Sequence, residues 1–169
     1  KGPDLDIEWA PFDFSSRHRL GPSVNTPDDE LWPRLSPDRS RFVFYRLPVG
    51  FSSEFCRYSR EELWLANVDG SGTRRIFSRA DLEAVGRSLG WPTDHLLQGH
   101  ADWSPDGVHV VMFLGRYIDF FVQVPVETQL FVLDVDTGAL RQLTSRRAPQ
   151  SGDGISSDCS YSADGTQVV

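Results

Sequence analysis

The sequence predicts an all-β fold: a partial β-propeller of about two complete four-stranded antiparallel blades with flanking pieces, and one short helix between them. Three observations predict it. A hairpin motif of strand, Ser-Pro-Asp-type turn and strand occurs at 33–44, 100–113 and 159–169, with Ser36, Ser104 and Ser162 spaced 68 and 58 residues apart. A second motif, strand, Asp-Gly-type turn, strand, follows the first two hairpins at 62–77 and 129–144. The two motifs recur in the same order, which unrelated hairpins of a β-sandwich would not require. Four antiparallel strands per repeated unit is the sequence form of a propeller blade.

The local chemistry supports each element. In Ser104-Pro105-Asp106-Gly107, proline pre-sets φ for the first central position, aspartate bonds the backbone locally, and glycine accepts positive φ. Residues 1–30 are rich in Pro, Asp and Ser; they read as the outer strands of a preceding blade or an irregular lead-in, with Pro11 arguing against a central strand. Residues 31–78 form the first blade, with strands at 41–46 and 62–68. Residues 79–99 are an interblade insertion. Ser78 is a good N-cap, Phe77 and Leu82 stand at staple positions, Asp81 suits the first turn, and Gly90 before Trp91-Pro92 gives a stop, so a helix is expected over 79–89. Residues 100–145 form the second blade, with strands near 101–104, 108–114, 129–135 and 139–144. Residues 146–169 are a connection and the first hairpin of a further, truncated blade.

At Trp103-Ser104-Pro105-Asp106-Gly107 and at 133–144 the chain resembles the TolB-like (WD-repeat-like) propeller repeat family. Units of that family carry W-S-P-D-G followed by an L-(apolar)-D-x-x-T/S-G-x-x-(R/Q)-L-T segment. The first unit departs with Arg39 where glycine is usual, and Ala163 replaces proline in the last. The approach 24–30 is also similar to segments between blades of the family. The resemblance covers most of 20–169. It implies a propeller fold and a non-enzymatic interaction scaffold in the periplasm or another extracytoplasmic compartment. One architecture hosts many activities, so it specifies fold better than function.

A blade takes about 40–45 residues and closure takes at least about four blades. Two blades and fragments would leave apolar faces and a strand edge exposed. The sequence is therefore expected to be a piece of a longer chain whose remaining blades close the propeller. The net charge of −7 argues against a phosphate-binding surface, so nucleic acid is not an expected partner. No run approaches the ~18 apolar residues of a membrane helix, and no transmembrane segment is expected. Cys56 and Cys159 permit one disulfide without demanding it.

Successive connections of an up-and-down blade alternate between the ends of its strands. The turns at 37–40, 69–73, 105–107 and 136–138 therefore share one face. The insertions 47–61 and 116–128 share the other with the interblade connections 79–99 and 146–157. Binding residues concentrate in loops held by a rigid scaffold, so a protein or peptide partner is expected at the long-loop face. Trp32, His100 and Asp158 precede their turn serines by four residues and would ring the channel mouth, with Asp102 on the same side of its strand as His100. Arg57, Tyr58 and Arg60, with Arg116 and Tyr117, lie in or beside the insertions on that face, where the arginines suit an acidic partner segment. His100 with Asp102 could hold a metal or a substrate carboxylate, but backbone bonding at a strand start by His100 and pairing of Asp102 to a neighbouring blade explain them better. Leu35, Trp103 and Tyr161 hold one equivalent position, where a large apolar side chain should pack between blades.

No catalytic motif is present. Gly70-Ser71-Gly72 lacks nucleophile-elbow spacing, and Asn67 to Gly72 starts like a calcium loop but places Ser78 where a bidentate carboxylate is needed. The histidines show no zinc spacing, and no cofactor or metal is expected. The leading expectation is a non-enzymatic scaffold. The alternatives are the non-catalytic propeller of a prolyl-oligopeptidase-like serine peptidase, and a propeller lyase using channel-mouth histidines and a metal.

Overall fold

Each hairpin turn is fixed by the same small set of bonds in the computed structural model, which describes residues 5–49, 60–117, 125–145 and 159–169. The Ser36 hydroxyl donates to Asp38 (2.6 Å) and accepts from the Arg41 amide (3.0 Å). Ser104 does the same with Asp106 (2.5 Å) and His109 (3.0 Å), and Ser162 with Asp164 (2.6 Å) and Gln167 (3.0 Å). The reversal needs positive φ, supplied by Gly107 and Gly165 at 71° and, in the first unit, by Arg39 at 61°. Arginine there accepts the strain that glycine avoids.

Around these turns stand β1 (Glu8–Trp9), β2 (His18–Arg19), β3 (Asp29–Leu35), β4 (Arg41–Leu47), β5 (Glu62–Asn67) and β6 (Arg74–Phe77). Helix α1 (Arg79–Leu89) follows, then β7 (Leu96–Trp103), β8 (His109–Tyr117), β9 (Pro125–Asp134) and β10 (Leu140–Gln142). β3 to β6 form one four-stranded antiparallel sheet in sequence order, and β7 to β10 form a second. β1 and β2 pair as a separate ribbon, and a bridge between Tyr161 and Val168 closes the last hairpin.

Both faces of the central strands β4 and β8 are buried, so these two read as nearly continuous apolar runs. Val43, Tyr45, Leu63 and Leu65 of the first sheet meet Leu96, Trp103, Val110 and Met112 of the second in the largest core cluster. The far face of the first sheet, with Phe42, Phe44 and Ala66, is covered by Ile7, Leu20 and Val24. The far face of the second, with Val111, Phe113 and Val132, is covered by the 159–169 hairpin through Cys159, Tyr161 and Val168. Under the amino-terminal segment, the buried Arg46 guanidinium bonds Glu30 (2.9 Å) and the Val24 carbonyl (2.7 Å) and lies 4.1 Å from the Trp64 ring centroid. Burial raises the Glu30 pKa, and bonds from Thr26 and Arg46 partly offset that effect.

Helix α1 occupies the expected residues. Ser78 and Asp81 form a reciprocal capping box, and Gly90 closes the helix in the left-handed region at φ 73°. Its inner face places Leu82 in the core and sets Gly86 against Leu96. β8 runs on to Tyr117 and β9 begins at Pro125 rather than 129, so the insertion expected at 116–128 is shorter, and β10 ends at Gln142 rather than 144. Two further features differ from the sequence reading. β7 begins at Leu96 rather than 101, because a bulge between Gly99 and Asp102 breaks the alternation that would have revealed the longer strand. Leu35 is 52% exposed, whereas Trp103 is buried. Leu35 pairs with Phe42 and so shares the sheet face that turns away from the second sheet; the segment that covers Phe42 leaves Leu35 half open.

Candidate functional site

β3 and β7 begin their sheets as edge strands and lie against one another. The Trp103 indole nitrogen of β7 donates to the Arg34 carbonyl of β3 at 2.8 Å. Each strand carries an irregularity at the same place, between Leu31 and Arg34 in β3 and between Gly99 and Asp102 in β7. Within these bulges Trp32 and His100 both adopt φ of 49°, a conformation rare for bulky residues. Bulges redirect side chains. Here they bring the two rings together, stacked at 5.6 Å between centroids and 18° between planes.

The stack continues on both sides. His100 lies 5.8 Å from the Phe113 ring at 26°, and Trp32 meets Tyr45 edge-on at 6.1 Å. Tyr45 and Phe113 are equivalent, each nine residues beyond its turn serine. That shared aromatic position was the available signal for them, overlooked because both sit in apolar strands. Full burial, with a smaller contribution from nearby Glu61, keeps the Tyr45 hydroxyl protonated well above the usual tyrosine range. Gln98, also buried, donates from its side-chain amide to the Glu61 carbonyl and ties the two sheets beside the stack.

The other sequence-derived residues are more dispersed. Asp102 accepts from the Tyr161 amide at 3.2 Å, and the Cys159 thiol approaches the His100 carbonyl at 3.5 Å, so both residues help seat the last hairpin. Arg116 and Tyr117 continue β8 toward the long-loop end. Arg116 pairs with Glu127 (3.0 Å), and Tyr117 is buried, its hydroxyl donating to the Asp94 carbonyl (3.2 Å) and its ring 5.2 Å from His95. Arg60 is exposed. Arg57, Tyr58 and Asp158, like Cys56, lie outside the described residues.

The tight turns meet at the opposite end. Arg41 bonds Asp136 (2.9 Å) and the Gly107 carbonyl (3.0 Å), and Arg74 bonds the Val135 carbonyl (2.7 Å). These bonds link turns of the two sheets across their boundary. Among the described residues no group of three or more His, Cys, Asp or Glu side chains is placed to hold a metal ion, and no helix is long and apolar enough to cross a membrane.

Among solved structures the chain is similar to TolB from Acinetobacter baumannii, with a TM-score of 0.56 and 16% identity over 96% of this chain and 31% of that one. The fold is a β-propeller. Within the propeller, the two four-stranded sheets are successive blades. The chain is also similar to an oligogalacturonate lyase in complex with manganese, with a TM-score of 0.57 and 18% identity over 93% of this chain and 33% of that one. A third likeness is to dipeptidyl peptidase 4 from Porphyromonas gingivalis, with a TM-score of 0.52 and 12% identity over 90% and 23%. The chain thus spans a third or less of each of these proteins, and at such identities the likeness is one of propeller fold. No protein-family model and no curated protein matches the chain at a significant level.

Proposed function

We propose that the chain is part of a non-enzymatic β-propeller scaffold that binds a protein or peptide partner, with the Trp32–His100 pair on the wall of the central channel. The observation that carries this reading is the matched pair of strained bulges, which place an indole and an imidazole in one stack between adjacent first strands. Side chains held this way on rigid strands are pre-positioned for contact, and strained backbone concentrates where a site needs it. The connections at the tight-turn end are short, while the long connections gather at the other end, which supports that end as the docking face. The resemblance to TolB-like repeats supports a partner among envelope proteins and a chain outside the cytoplasm.

The test is crosslinked capture from a cell-envelope extract, with the wild-type chain beside Trp32→Gly and His100→Gly. Glycine removes each ring and at φ 49° carries no steric penalty. A band captured by the wild type and reduced at least about tenfold by both variants, a loss of about 1.4 kcal/mol in binding, supports the reading. Equal capture by all three refutes it.

A further inference from the structure

A left-handed backbone at a bulky residue persists only where its surroundings over-determine it. The regular ladder of β7 with β8 does not supply this for His100. Gly99 pairs with Phe113 and Asp102 with Val111, so His100 and Ala101 stand together opposite Met112. Trp32 and Pro33 stand opposite Phe44 in the same way, between the pairs Leu31–Tyr45 and Arg34–Val43.

Each bulge is also met by the next unit of the repeat. Leu35, Trp103 and Tyr161 are equivalent, each preceding its turn serine by one residue. Trp103 donates its indole N–H to the Arg34 carbonyl (2.8 Å), two residues beyond Trp32. Tyr161 donates its main-chain N–H to the Asp102 carboxylate (3.2 Å), two residues beyond His100. The Cys159 thiol reaches the His100 carbonyl itself (3.5 Å).

The second of these clamps explains why an acid stands at 102. Tyr161 has no indole N–H, so the contact that Trp103 makes from its ring falls to the backbone of Tyr161. The hairpin leaves that amide free to make it. Ser160 and Val169 exchange both of their main-chain bonds, at 2.9 Å each, and Ser162 donates to Gln167 at 2.9 Å. The Tyr161–Val168 pair between them is therefore of the non-hydrogen-bonded kind, with its N–H turned away from the hairpin. An N–H directed at β7 calls for an acceptor there, and the Asp102 side chain provides one. Arg34, at the equivalent place in β3, has a side chain that only donates, and it accepts through its carbonyl instead.

We propose that Asp102 is a positioning residue for His100. Its carboxylate is the point at which the next unit holds the β7 bulge. Through it, the seating of 159–169 sets the angle at which the imidazole lies between Trp32 and Phe113. The stack is thus controlled from outside its own two strands, because a shift of 159–169 against β7 reaches His100 through the Asp102 bond and the Cys159 contact. The role of His100 in binding rests on the partner-docking reading; the way its ring is held does not.

The test follows the His100 ring in the 169-residue chain by nuclear magnetic resonance with isotope-labelled histidine. The His100 signals are those missing from His100→Gly. The rings on either side, with centroids 5.6 and 5.8 Å away, displace them from the position of free histidine. Asp102→Ala removes the acceptor, and the folded-state His100 signals should return most of the way to the free position. Asp102→Asn keeps an acceptor oxygen without the charge and should leave them where they stand in the wild type. Asp102→Leu, close to Asn in outline but without an acceptor, should behave as Asp102→Ala and replaces it if that variant does not fold. A loss of stability alone does not move the signals of the folded state. Signals unmoved in the acceptor-free variants, or moved as far in Asp102→Asn, overturn the proposal. So does a failure of both acceptor-free variants to fold while Asp102→Asn folds, since Asp102 is then a structural residue. No partner enters this measurement, so a failed capture test leaves the positioning role standing.

Discussion

Replacing Trp103 with phenylalanine tests whether the two blades are held together where the repeat says they are. The indole is buried between the sheets, donates to the Arg34 carbonyl at 2.8 Å, and has the Arg41 guanidinium 5.7 Å from its ring centroid. Phenylalanine keeps an aromatic ring but loses the hydrogen bond, about 1 kcal/mol, and part of the buried ring, about 1–2 kcal/mol. The weaker cation–π contact adds about 0.5 kcal/mol. The sum is a destabilisation of about 2.5–3.5 kcal/mol. Leu35→Ala changes the equivalent position of the first blade, where the side chain is half exposed, and should cost about 1 kcal/mol or less. Urea unfolding followed by far-ultraviolet circular dichroism, at one fixed protein concentration so that association does not shift the midpoint, measures both. Trp103→Phe within about 0.5 kcal/mol of wild type, or Leu35→Ala costing as much as Trp103→Phe, would refute the assignment of the inter-blade anchor.

Three further outcomes are expected. Ser78→Ala breaks the capping box of α1 and should cost about 1 kcal/mol in the same assay. Gly115→Ala would drive a Cβ to 2.5 Å from the Glu127 carbonyl oxygen, a backbone atom that cannot swing away, and should cost about 1–3 kcal/mol. Bonds from Ser36 and Ser40 lower Asp38 to about 2, and bonds from Ser162 and Thr166 lower Asp164 to about 2. Because these folded-state values lie below the ordinary carboxylate value, the stability the turns contribute is full above about pH 4. It is lost as pH falls toward 2. Asp38→Asn should therefore flatten the fall of the urea midpoint between pH 4 and 2, and an unchanged acid limb would contradict the turn assignment.

What could be read from the chain was whatever local chemistry encodes. The Ser-x-Asp turns announce themselves because the bonds they make are two to five residues long, and α1 does so because its cap, staple and stop are contiguous. The early start of β7 was hidden because Leu96, Leu97 and Gln98 are all buried, one after another, and the bulge at His100 then shifts the alternation. The sequence offers 1–30 as outer strands of a preceding blade or a lead-in, but the residue-by-residue match of β1–β2 to β5–β6 was not visible, because Pro11 and Phe14 stand where Asn67 and Gly70 stand and a turn made by the same backbone bonds has a different signature. Trp32 and His100 were singled out by position; their stacking on each other was not visible, since it depends on two bulges in strands 68 residues apart. Arg46 and Glu30 gave no signal at all, because a buried ion pair between adjacent strands looks, in sequence, like two surface charges.

Strain by itself does not mark a functional residue in this molecule. Arg39 also holds positive φ, and there the cost belongs to a turn whose counterparts use glycine. The two bulges differ from that turn in what occupies them. Both complete blades need the irregularity in their first strand, and glycine would supply it without penalty; both instead carry a large ring. Holding a non-glycine residue in the left-handed region costs about 1–2 kcal/mol, while a stacked ring pair returns about 0.5–1.5 kcal/mol. The three ring contacts, Trp32–His100, His100–Phe113 and Trp32–Tyr45, together return about 1.5–4.5 kcal/mol, which about offsets the strain of the two residues. Trp32 also packs on the main core, so Trp32→Gly relieves strain but loses a partly buried ring and should cost about 1–3 kcal/mol. A binding role is therefore read from capture by the folded fraction. Trp32→Gly and His100→Gly should each reduce it at least about tenfold under conditions where circular dichroism shows the variants folded, and capture that falls only in proportion to the unfolded fraction would contradict a role in binding.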